Sequence, residues 1–149
     1  MMMIKKQTKF YKLLIGYWFA TAFLFFSYAG LTCLNQQISF QELLTTVPTF
    51  SLGFLLSCMM LVMGVMLSKM DKRETSRKSM FGKFILFAFI QQLLTFNIIG
   101  AILSGVIIYV MPNRESERQS LMGVTKLVMG VLLVLSLLLG LISFNVFNK

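Results

Sequence analysis

A chain of 149 residues that is 57% hydrophobic and only 13% charged cannot cover a water-facing surface, for which about 25% charged residues is usual. Two prolines and ten glycines speak equally against a loop-rich or disordered chain. What remains is an all-α polytopic membrane protein, for which a net charge of +9 is first a question of topology.

The chain opens on Lys5, Lys6, Lys9 and Lys12, and residues 12–34 then form a first predicted span with no further charge. Its length suits a bilayer core of about 30 Å, which takes about 20 apolar residues. A basic start before an apolar run has the outline of a secretory signal, and Ser27-Tyr28-Ala29 has the look of a cleavage site. The run is long for such a signal and continues through Leu31, so it is read as a retained span. The segment 35–46 is polar with one acid, Glu42. Within and just after it, Ile38, Phe40, Leu43, Leu44 and Val47 form an apolar set suited to the membrane interface. Pro48 fits the first turn of a second span over 47–67, where its missing N–H is harmless.

The loop 68–83 is the one strongly charged segment, with Lys69, Lys72, Arg73, Arg77, Lys78 and Lys83 against Asp71 and Glu74. A third span is predicted over 84–110. A short connection follows that balances Arg114 and Arg118 with Glu115 and Glu117, then a fourth span over 121–147 containing Lys126. No ten-residue alternating segments suggest a membrane β-barrel. Ten of the fourteen basic residues fall on the N-terminal and 68–83 side, eleven with Lys149. The expectation is therefore a single domain over 1–149, an up-down-up-down bundle of four transmembrane helices. Both termini and the basic loop are expected in the cytoplasm, in a bacterial inner membrane.

Small residues four apart let membrane helices approach closely. Such pairs are Gly16 and Ala20, Gly53 and Ser57, Gly100 and Ser104 with Ala101 and Gly105, and Ser136 and Gly140; Gly123 and Gly130 add a seven-residue repeat. The third span carries two overlapping pairs and is the expected centre of the bundle. It is also the most polar, with Gln91, Gln92, Thr95, Asn97 and Ser104. Together with Lys126, expected to snorkel to the outer headgroups, these are the candidates for a polar path or for fastening helices. No Asp or Glu lies in any span, which leaves a proton-coupled carboxylate mechanism without a residue.

Met59, Met60, Met63 and Met66 surround Cys58 in the second span. The Met59-x-x-x-Met63 spacing is similar to the motif of Ctr-type copper transporters, a resemblance implying soft-ligand Cu(I) handling. The match covers this spacing alone, since four spans and the lack of any histidine depart from that family. Without histidine, a P-loop, G-x-S-x-G or a dinucleotide fingerprint, no enzyme class, cofactor or metal centre is indicated. Cys33 and Cys58 are placed too far apart in depth for an unstrained bridge.

Lys69, Lys72, Arg73, Arg77 and Lys78 read as a topology determinant or as a docking patch for anionic lipid or protein. The loop lacks the interleaved aromatics of a nucleic-acid site. The expected partners are the bilayer and a membrane protein or second copy. The expected role is non-enzymatic, exercised through intramembrane helix contacts as an accessory subunit, sensor partner or peptide-immunity protein. A small dimeric transporter or channel is the alternative.

Overall fold

The computed structural model describes residues 2–70, 76–112 and 123–147, with side chains described over 9–70, 76–112 and 123–142. Among the described residues the chain is all helical. The helices are α1 (Met2–Gln36), α2 (Phe40–Thr46), α3 (Pro48–Lys69), α4 (Met80–Leu94), α5 (Ile98–Val110) and α6 (Gly123–Phe147). Among the described residues, three segments are long and apolar enough to cross a membrane: Lys9–Gln36, Pro48–Lys69 and Gly123–Ile142.

The interfacial piece expected after the first span is α2. The Ser39 hydroxyl caps it by accepting from the Glu42 amide, and Leu43 buries its apolar face. Pro48 occupies the first turn of α3, as its chemistry requires.

Helices α1 and α3 are antiparallel. At one end the Tyr11 hydroxyl donates to the Leu67 carbonyl at 2.9 Å, and at the other Tyr28 stacks on Phe50 with ring centroids 5.5 Å apart. Helix α6 is also antiparallel to α3: Leu139 and Gly140 meet Thr49, Leu52 and Gly53, whereas Leu127 and Val128 meet Cys58, Met59 and Val62. The end where α1 begins, α3 finishes and α6 begins is called the base below. Between the helices lies one apolar core in which Leu14, Trp18, Met60, Met63, Leu67, Phe84 and Ile85 are fully buried.

The stretch expected as a third span differs from expectation. Residues 84–110 do not form one helix; the chain turns back at Thr95–Asn97. Phe96 adopts φ 55°, the left-handed conformation that ends a helix. The Asn97 amide then donates to the Gln92 carbonyl at 2.8 Å and the Phe96 amide to the Leu93 carbonyl at 3.1 Å, the paired bonds of a Schellman cap. Asn97 caps the next helix at once, its Oδ1 accepting from the Gly100 amide at 3.1 Å. Helix ends among apolar side chains have no water to satisfy them, so a turn there must close its own hydrogen bonds.

Helix α5 then returns to the base. Arg77, just before α4, donates from its backbone amide to the Pro112 carbonyl at 3.3 Å. Its guanidinium donates to the carbonyls of Ile108 at 3.0 Å and Tyr109 at 3.3 Å. A cation on the last carbonyls of α5 also complements the helix dipole. At the start of α4 the Ser79 hydroxyl accepts from the Gly82 amide and donates to the Ser76 carbonyl. A Cβ on Gly82 would overlap the backbone carbonyls of Ser76 and Arg77, so only glycine fits this close approach.

The hairpin is short. Fifteen residues of α4 and thirteen of α5 rise about 22 and 20 Å, below the roughly 30 Å of a bilayer core. Its tip stops part-way along the bundle, with Thr95 beside Leu52–Leu56 of α3 and Asn97 beside Tyr17 and Met60, while Phe96 faces outward. Helix α1 runs about 28 Å further beyond Tyr17.

Candidate functional site

The hairpin tip gathers most of the polar residues singled out in the sequence. Asn97 is the hub: its Oδ1 accepts from the Tyr17 hydroxyl at 2.6 Å as well as from the Gly100 amide, and its Nδ2 lies 4.0 Å from the Met60 sulfur. The side chain thus joins α1, α3 and α5, and the main-chain amide of the same residue closes the turn onto α4. Thr95 turns its hydroxyl back to the Gln91 carbonyl at 3.0 Å. It also lines a cavity of about 220 Å³ with Thr49, Leu52, Gly53, Leu56, Leu139 and Gly140.

Gln91 and Gln92 are completely enclosed near the end of α4, at 1% and 0% exposure. The Gln92 Nε2 donates to the Gln91 Oε1 at 2.9 Å. Among the described residues, the remaining two amide atoms, Gln91 Nε2 and Gln92 Oε1, have no hydrogen-bond partner, and neither has the buried indole Nε1 of Trp18. The Gln92 side chain sits against the backbone of Gly100, where a Cβ would overlap its amide. This close approach makes Gly100 a hairpin-packing residue. The Gln92 Oε1 therefore faces a Cα–H, a weak donor that recurs where helices touch.

Ser104 is fully buried but returns its hydroxyl to the Gly100 carbonyl of its own helix at 2.8 Å. Ser136 does the same with Leu132 at 2.6 Å. Lys126 is not brought to this cluster. It is exposed near the start of α6, at the base with Lys69, whereas the sequence reading set it near the outer headgroups. Of the basic patch, Lys69, Arg77 and Lys78 are exposed, and Lys72 and Arg73 lie outside the described residues.

The small-residue pairs divide by face. Ser57, Gly100, Ala101 and Ser136 are buried. Gly53 sits under the Phe25 ring, Gly105 under Phe89, and Gly140 against the Leu94 carbonyl. Gly16 and Ala20 are exposed on the outside of α1, with nothing within 4 Å of a Cβ at Gly16. The methionines at the copper-like spacing, Met59 and Met63, are buried core residues along with Met60. Thioethers there fill irregular helix contacts. Cys33 and Cys58 are both free thiols.

Tyr17 and Trp18 were not legible as site residues, because aromatic residues in a membrane helix carry no polar signal until a partner is placed beside them. Arg77 was visible only as one of six basic residues in its loop.

No family model, curated protein or solved structure matches this chain. The geometry carries the functional argument alone.

Proposed function

We propose that this chain is a small integral membrane protein that crosses the bilayer three times, through α1, α3 and α6. The α4–α5 hairpin enters and leaves from the basic side. Its role is non-enzymatic: it presents α6 to a partner within the membrane. The hairpin's length supports the placement, and so does the charge. On this reading every basic residue but Lys149, thirteen of fourteen, belongs to the base or to segments that join helices there. Four alternating crossings leave Arg114, Arg118 and Lys126 on the outer side. The base then faces the cytoplasm of a bacterial inner membrane, and α6 ends outside.

The packing of α6 carries the functional part. It touches only α3 and α4 among the described helices, burying Thr125, Leu132, Ser136 and Leu139. The opposite side presents Val134, Leu137, Leu138 and Leu141, with open space at Gly123 and Gly130. A long helix held along one narrow stripe has a whole face for another helix, and membrane helices associate through such close packing.

A photo-crosslinking residue at position 137 tests this in native membranes, with position 23 on the lipid-facing side of α1 as control. The reading expects a discrete protein adduct from position 137 only. Adducts to lipid alone at both positions sink it. The transport alternative draws on the orphaned amide atoms of Gln91 and Gln92. It requires flux in vesicles holding only this protein, abolished by Asn97→Leu without loss of folding.

A further inference from the structure

Helix α6 is held along one side and open along the other. Thr125, Leu132, Ser136 and Leu139 form its buried stripe. Gly130, Val134, Leu137 and Leu141 run along the opposite side, at the spacing i, i+4, i+7, i+11 of a helix-packing ridge. Lys126 belongs to that open side, about 40° around the helix from Gly130 and about 20° from Leu137. It is exposed and forms no ion pair among the described residues. Gly123, three residues before it, and Gly130, four after it, are its neighbours on the helix surface. A Cβ at either glycine meets nothing within 4 Å. The one acid among the described residues, Glu42, stands on α2 at the opposite end of the bundle.

We infer that the open side of α6 docks a transmembrane helix of a different protein, one that pairs an Asp or Glu in its base-side turns with Lys126. The inference rests on the reading that α6 faces a partner, and it names that partner's chemistry. Charge decides between two protein occupants. A second copy packed through the same side in the same orientation sets Lys126 against its own equivalent, and none of this chain's described spans or hairpin helices holds an acid to offer instead. The bare glycines decide between a helix and lipid. A lysine reaches headgroups from any exposed position near a helix end. Open backbone on both sides of it, continued by an apolar ridge, is what a second helix needs to approach closely. Gly130 is about 6 Å along the axis from Lys126, so a partner crossing at Gly130 meets the lysine one turn nearer the base.

A photo-crosslinking residue at position 134 of the full chain in native membranes tests it, with the crosslinked peptide identified by mass spectrometry. The expected adduct is a membrane span of another protein with an Asp or Glu in its base-side turns. Lys126→Gln is expected to lower the adduct yield by about five-fold, the upper range for an exposed ion pair, and Lys126→Arg to preserve it. Gly130→Leu, which meets open space within this chain, is expected to abolish the adduct while leaving the helical content unchanged. An adduct undiminished in K126Q, a crosslinked span without an acid, or an adduct to a second copy of this chain each overturns the proposal. So does a loss in E115Q/E117Q equal to that in K126Q, which assigns the counter-charge to this chain. Lipid adducts alone at position 134, with a protein adduct still formed at position 137, also overturn it. Protein adducts at neither position instead refute the reading on which it rests.

Discussion

Asn97→Ala removes the side chain that hydrogen-bonds α1 to the start of α5. Two losses follow from the structure. The Gly100 amide loses its cap, about 1 kcal/mol for an Asn at this position. The Tyr17 hydroxyl loses an acceptor at 2.6 Å, and such membrane hydrogen bonds average about 0.6 kcal/mol with a maximum near 1.7. The expected cost is therefore about 1.5–3 kcal/mol. Tyr17→Phe alone is expected to cost about 0.6 kcal/mol. In the Asn97→Ala background the same change is expected to cost close to nothing, because its partner is already gone. Trp18 is the chain's only tryptophan, is fully buried, and neighbours Tyr17, so its fluorescence follows reversible unfolding in mixed micelles. Additive costs for the two substitutions refute the shared hub. So does an Asn97→Ala cost below about 0.5 kcal/mol.

Glycine substitutions separate inward from outward faces. Gly100→Ala drives a methyl into the Gln92 amide and is expected to cost about 1–3 kcal/mol, whereas Gly16→Ala meets open space and is expected to be neutral or slightly stabilising in the same unfolding measurement. Phe96 holds φ 55° and is 72% exposed, so Phe96→Gly relieves a left-handed penalty of about 1 kcal/mol and is expected to raise stability. A clear loss of stability in that variant contradicts the assigned turn.

The long helices were legible because length and uninterrupted apolarity are all that a membrane crossing requires. Pro48 and the Ser39–Leu43 segment were legible through local chemistry that does not depend on the rest of the fold. The hairpin was not, because Thr95-Phe96-Asn97 contains neither Gly nor Pro, and the polar dip over residues 91–97 reads equally as polar residues inside one long span. Three signals were nonetheless present. A predicted span of 27 residues exceeds the roughly 20 a bilayer needs, and Asn97 three residues before Gly100 has the pattern of a helix start. Lys126 was a third, since a fourth span running inward had to hide it near the outer boundary. Among the site residues, Gln91, Gln92, Thr95 and Asn97 were found by their polarity. Their arrangement was not, because periodicity states which residues share a face and not which face is turned inward. Gly16 and Ala20 share the spacing of Gly100 and Ser104 yet lie outside the bundle.

Thiol labelling tests the placement of the hairpin most directly. Single cysteines at positions 117 and 148, in a chain with Cys33→Ser and Cys58→Ser, are probed in intact cells with a membrane-impermeant maleimide. A returning hairpin predicts that position 117 is protected until the cells are opened and that position 148 is labelled from outside. Labelling of position 117 from outside with protection of position 148 contradicts the account and restores four crossings.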